Sequence, residues 1–160
     1  STSILMALNI LLNKFLNIMS SNISNFFNFQ NKNSKIGDFQ DLEHIDGVAL
    51  STISANLYNI KRDDLVLFYF RDGANFGSVY TQSKIISENI KWNLNIKSKK
   101  IKCLLINTRN ANAFTGTTGY RGLRKISNSL SEKLTSKQLE DEEKPIKINS
   151  DEILLSLIHI

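Results

Sequence analysis

The chain is poor in the residues that carry most recognisable chemistry. Its 160 residues include one cysteine, one proline and two histidines. A lone Cys103 excludes a disulfide framework within the chain and makes a reducing, cytoplasmic compartment the simpler expectation. It lies in the apolar run Ile101–Ile106, which reads as a buried small hydrophobe rather than a nucleophile. With only His44 and His159 there is no Cys/His cluster of zinc spacing and no Ser-His-Asp set, so no metal site is expected. The single Pro145 excludes Pro-rich linkers. No apolar run reaches the ~20 residues that a membrane-spanning helix needs. The nearest, Ile4–Met19, carries Lys14 and a stripe of Asn9, Asn13 and Asn17 at helical spacing. It also lacks the basic start of a signal peptide. It reads as an amphipathic or non-native leader, with the natural start left open between Met6, Met19 and an upstream residue.

What is present is the balance of a globular protein. Apolar residues make up 41% and charged residues 22%, which sets the chain apart from disordered sequences. The net charge is +5, part of it in Lys97, Lys99, Lys100 and Lys102. A phosphate or nucleic-acid patch is one reading of these lysines, a solvated turn between helix and strand the other. No aromatic or Gly-rich pattern is interleaved with them, which favours the turn and no nucleic-acid partner. The acidic run Glu140–Glu143 argues the same way.

Organised structure is expected from Asp46. Val48, Leu50 and Ile53 suggest a first strand. The continuous run Leu65–Phe70 predicts a strand buried on both faces. Arg71–Ala74 predicts a turn and Phe76–Thr81 a returning strand, together a hairpin. Ser83 is the expected N-cap of a helix carrying Ile86, Ile90 and Leu94, with Trp92 packed beside that stripe and the lysines at its end. Ile101–Asn107 predicts another strand, and residues 108–119 a polar loop. Tyr120, Leu123, Ile126, Leu130 and Leu134 form a helical stripe, and Ile153–Leu155 begins a further strand. Alternating strands and helices give a mixed α/β (α+β) class, a sheet with flanking helices. Periodicity alone identifies no active site.

The specific signal is Asn107-Thr108-Arg109-Asn110-Ala111-Asn112-Ala113-Phe114-Thr115-Gly116. It resembles the Asn-Ser-Gly-Asn-Ala-Asn-Ala-Cys-Thr-Gly signature of the ornithine acetyltransferase (glutamate N-acetyltransferase) family. Asn107, Asn110, Ala111, Asn112, Ala113, Thr115 and Gly116 match, and Thr108 replaces Ser. Arg109 stands in place of Gly and Phe114 in place of Cys. Three shorter blocks follow the family's order. Asp63-Asp64-Leu65 is similar to its early Asp-Leu segment. Val79–Lys84 is similar to its Val-Phe-Thr-x-Asn-Arg/Lys block, although Ser87-Glu88-Asn89-Ile90 then departs from its Ala-Ala-Pro-Val. Asp151–Ser156 is similar to the strand that enters its Ser-Thr-Gly-Val-Ile-Gly loop.

The resemblance implies part of a self-processing fold shared with certain aminopeptidases. It also implies a precursor that cleaves itself before an internal threonine, whose freed α-amine serves as base. That threonine would carry acetyl from N-acetylornithine to glutamate in arginine biosynthesis, without a cofactor, the oxyanion being held by the Thr-Gly of the Ser-Thr-Gly loop. Neither that pair nor the nucleophile lies in these residues, so the fragment is expected to be inert. Its implied partners are the beta chain of the same precursor and further copies in an oligomer. Asn110, Asn112, Thr115 and Gly116 are the candidate residues beside the site. A structural role is equally open for Asn110 and Asn112, because loop asparagines commonly satisfy backbone groups. Residues 1–45 are read as leader and residues 46–154 as the front of the alpha chain. The hexapeptide Leu155–Ile160 matches one frame of a transposase adapter used in sequencing libraries, so residues 155–160 are read as an adapter scar, with a genuine hydrophobic strand as the alternative. Two other functions stay open on the residues: a related self-processed aminopeptidase, and a non-enzymatic basic binding module.

Overall fold

The computed structural model describes residues 45–59, 62–108, 112–141 and 147–158. The leader up to His44, together with Asn110, Pro145 and His159, lies outside the described residues. Four strands form one sheet in the order β1 (Val48–Ile53), β2 (Leu65–Asn75), β3 (Lys100–Thr108) and β4 (Ile153–Ile158). β1, β2 and β3 pair antiparallel, whereas β3 and β4 are parallel. A short helix, α1 (Glu88–Leu94), precedes β3, and a long one, α2 (Gly116–Asp141), links β3 to β4 through a 3-10 turn at Ser150–Glu152. A parallel pair needs such a crossover, and α2 provides it. The expected mixed α/β class is the one observed.

Both helices pack on the same face of the sheet. Leu65, Leu67 and Tyr69 of β2, Cys103 and Leu105 of β3, and Ile153 and Leu155 of β4 meet Trp92, Leu123, Leu130 and Leu134 in one core. The helical stripe read from Tyr120 to Leu134 is therefore the buried face of α2. Hydroxyls on that helix then tie down the lead-in to β4. Ser127 and Ser131 donate to the carbonyls of Ser150 and Ile148, and Thr135 accepts from the Ile148 N–H. The alternate residues of β2, Val66, Phe68 and Phe70, are half-buried. This corrects the expectation of a strand buried on both faces.

The expected hairpin is also absent. β2 runs on through Arg71–Ala74 to Asn75, and residues 76–81 are not strand. Both edges of β2 are already taken by β1 and β3, so a returning strand has no place beside it. The turn signal at Gly73 marks instead an irregularity in the β2–β3 pairing between Tyr69 and Ala74, where Gly73 adopts φ +75°. Ser83 does not cap the helix. Its Oγ accepts from the Ile85 N–H at 3.2 Å in a local turn, and α1 begins five residues later at Glu88. The helix stops at Leu94, ahead of the lysines, so they do not serve its dipole. Lys97, Lys99 and Lys100 are exposed on the turn into β3, the solvated arrangement favoured above. Cys103 is buried as expected, and burial pushes its thiol pKa well up. β4 extends through Leu155–Ile158, residues read from sequence as adapter-derived. Backbone pairing accepts any strand-compatible side chain, so this conformation does not bear on their origin.

Candidate functional site

The carboxyl ends of β3 and β4 lie side by side, with Thr108 in register with Ile158. The loop between β3 and α2 leaves from this end, so it borders whatever follows β4. Asp64 fixes the end of β3. Its carbonyl accepts from the Thr108 N–H at 3.0 Å, and its buried carboxylate accepts from the N–H groups of Ala55 and Leu57. The early Asp-Leu block thus acts as a clamp between the β1–β2 loop and the mouth of the motif loop.

The structure brings three of the four candidate residues together, and Asn110 lies outside the described residues. The Asn112 Oδ1 accepts from the Thr115 Oγ1 at 2.5 Å, and the Asn112 carbonyl accepts from the Glu88 N–H at 2.9 Å. The Thr115 carbonyl accepts from the Gly119 N–H at 3.3 Å, as the first turn of α2 forms. Gly119 packs so closely that a Cβ there would collide with Thr115 Oγ1 and Asn112 Oδ1. Phe114 and Gly116 both take left-handed backbone, at φ 58° and 54°. Glycine does so without strain, but Phe114 does not, and its ring is 83% exposed. Asn112 and Thr115 are therefore engaged with each other and with α1. That supports loop-shaping as their role, with the Thr115 residue itself exposed at the rim.

Sequence reasoning overlooked the residues that join α1 to this loop and to β4. Glu88 is buried, pairs with Lys91 at 2.6 Å and presents its backbone to Asn112. Asn93 binds the backbone of Leu155. The available signal was the pair Asn89 and Asn93, one helical turn apart on a helix expected to be apolar on that side. Among the described residues no His/Cys/Asp/Glu group could hold a metal ion, and no helix is long and apolar enough to cross a membrane. Two open hollows of about 620 and 460 Å³ lie along the polar side of α2, near Arg124 and near Asn149, and neither reaches Asn112 or Thr115.

A parallel strand pair joined by a long helix, beside two antiparallel pairings, defines a mixed α/β unit. Residues 49–146 match the ArgJ family, well over half of the chain, and the chain belongs to that family. Similar proteins include the arginine biosynthesis bifunctional protein ArgJ of Zymomonas mobilis, 37% identical over 87 residues, which cover 54% of this chain and 21% of that protein. The ArgJ protein of Bradyrhizobium diazoefficiens is 32% identical over 115 residues, 71% of this chain and 27% of that protein. The chain thus spans about a quarter of the length of such relatives. Two crystal structures share the fold at a TM-score of 0.56, ArgJ of Bacillus halodurans at 19% identity and ornithine acetyltransferase of Mycobacterium tuberculosis, solved with ornithine, at 17%. The match covers 70% and 71% of this chain and 53% and 56% of those chains, respectively.

Proposed function

We propose that this chain is the front part of an ornithine acetyltransferase that moves acetyl from N-acetylornithine to glutamate through an acetyl-threonine. One observation carries the reading. The family's most specific block, Asn107–Gly116, begins in the last residues of β3, whose Thr108 pairs with Ile158 of β4, and its described residues 112–115 lead into α2. In the family the Thr-Gly oxyanion donors follow the strand that Asp151–Ser156 resembles. The parallel pairing of β3 and β4 supports a position for that pair near the Asn112–Thr115 clamp in the whole protein. Donors fixed where negative charge develops contribute about 3 kcal/mol to such reactions. Asn112, Thr115 and Gly116 shape the loop that borders this site rather than act on the acyl group, and Asn110 is a candidate from the same sequence block. The M. tuberculosis relative was solved with ornithine, which supports ornithine recognition by the whole protein here. The partners are the beta chain of the same precursor and further copies in a cytoplasmic oligomer, with no cofactor. Family membership and the Asn-Ala-Asn-Ala block weigh against the aminopeptidase, and the scattered, exposed lysines against the basic binding module.

Two measurements test the reading. The purified chain is expected to show no acetyl transfer from N-acetylornithine to glutamate, and turnover above a denatured control would remove the argument. In the complete precursor, Asn112→Ala is expected to slow self-cleavage or transfer by about tenfold or more, through loss of the Thr115 clamp. Wild-type cleavage and rate in that variant would separate the loop from the site.

A further inference from the structure

The segment between β2 and α1 has the sequence of a strand without the partner of one. Phe76-Gly77-Ser78-Val79-Tyr80-Thr81 carries the aromatic and β-branched residues that favour strands. In the fold these residues are neither strand nor helix. Both edges of β2 are taken, so the sheet has no room for them beside it. The local signal and the tertiary structure therefore disagree over this stretch, and a disagreement of that kind points to a functional segment.

The backbone there is open to pairing. Among the described residues, no backbone N–H or carbonyl from Gly77 to Gln82 makes a hydrogen bond. Val79 is 98% exposed, the most of any large apolar side chain described. A Cβ at Gly77 would meet nothing within 4 Å. No charged residue lies between Asp72 and Lys84, and no proline, so the segment lacks the features that keep a bare strand from pairing. The outer edge of β4 differs. There the Asn93 carboxamide donates to the Leu155 carbonyl at 3.0 Å and accepts the Leu155 N–H at 3.1 Å, and the Trp92 Nε1–H donates to the Ile153 carbonyl at 3.0 Å. Helix α1 thus covers an edge at β4, while residues 77–82 stay bare. The chain spans about a quarter of the length of its ArgJ relatives, so most of the polypeptide that could supply a partner lies outside it.

We propose that residues 77–82 are a docking strand, with which an extended segment from the rest of the polypeptide pairs, backbone to backbone, in the whole protein. Backbone hydrogen bonds supply the pairing, and side chains facing Val79 set its preference. The partner is a segment with β-branched or aromatic residues at its centre and no charge there, because cross-strand apolar pairs are what stabilise such a contact. Residues 77–82 lead into α1, and the Glu88 N–H at its start donates to the Asn112 carbonyl. The added strand therefore anchors α1 and the motif loop to the remainder of the protein. The proposal rests on the reading above only in taking the chain as the front of a longer polypeptide, and its test reads no acetyl transfer.

Residue-resolved amide hydrogen exchange, on this chain and on the complete polypeptide, tests it. In this chain the amides of residues 77–82 are expected to exchange within about tenfold of an unstructured peptide. In the complete polypeptide every second one is expected to slow by about a hundredfold or more, since amides along a strand alternate between its two edges. Val79→Pro and Tyr80→Pro remove amides from opposite edges, so one of them should abolish the alternate protection and the other should retain it. Fast exchange across the segment in a folded complete polypeptide overturns the proposal, as does equal slowing of all six amides, which marks a buried loop. Protection that appears in this chain alone and rises with its concentration assigns the segment to a second copy and overturns the choice of partner. Should both proline variants fail to fold, the alternation in the wild type decides.

Discussion

The two faces of the sheet are built from equally apolar residues but meet different surroundings. On one face Leu65, Leu67, Cys103, Leu105, Ile153 and Leu155 are at most 4% exposed beneath α1 and α2. On the other, Leu50, Phe68, Leu104 and Leu154 lie in register across all four strands and are only half-buried. Composition does not distinguish the faces, and coverage does. The second face has the character of a surface made to be covered, since contiguous exposed apolar area favours association. That also explains why the run Leu65–Phe70 reads as buried on both sides.

The sharpest way to break this comparison is to truncate matched residues on the two faces. Leu67→Ala and Leu105→Ala are expected to cost about 2–5 kcal/mol each, because each leaves a cavity in a closed core. Phe68→Ala and Leu104→Ala remove comparable volume where solvent already reaches and are expected to cost clearly less. Chemical denaturation of the four variants gives the ranking, and equal losses on both faces would show that the open face is packed as well.

Polar groups sharpen the contrast on the covered side. Ser127 is fully buried, and its hydroxyl donates to the Ser150 carbonyl at 2.9 Å. Ser127→Ala leaves that acceptor without its donor, for an expected loss of about 1–3 kcal/mol. A change within a few tenths would show that water replaces the hydroxyl. Cys103 tests the same core through pH. Burial raises its folded pKa above the ordinary thiol value of 9.0, so the folded state favours the neutral thiol. Its contribution is fully present below that value and declines as pH rises above it. At pH 10 the loss is expected to be about 1.4 kcal/mol relative to pH 8, absent in Cys103→Ala, and the native thiol should resist thiol reagents at neutral pH. Rapid labelling under native conditions would mean that the core opens.

The smallest effect on stability is expected on the open face. Phe68→Lys combined with Leu104→Lys should change the unfolding free energy by less than about 2 kcal/mol, because both side chains can extend their charges into water. The same pair is expected to reduce self-association measured by light scattering. Unchanged association would place the sticky surface elsewhere, such as a strand edge.

Much of this molecule is written locally. The apolar runs at Val48, Leu65, Ile101 and Ile153 became β1 to β4, and the stripe from Tyr120 to Leu134 became the buried face of α2, because periodicity follows backbone geometry. The Asn-Ala-Asn-Ala block led to the family. Sequence alone could not reveal that Arg71–Ala74 continues a strand, because that depended on both edges of β2 being occupied. Nor could it reveal which apolar face is covered, or that Asn93, Ser127 and Ser131 would find backbone partners between 17 and 62 residues away. Those contacts carry no local signature. Each exists because tertiary packing buried a backbone group and brought a side chain of the right chemistry within reach of it.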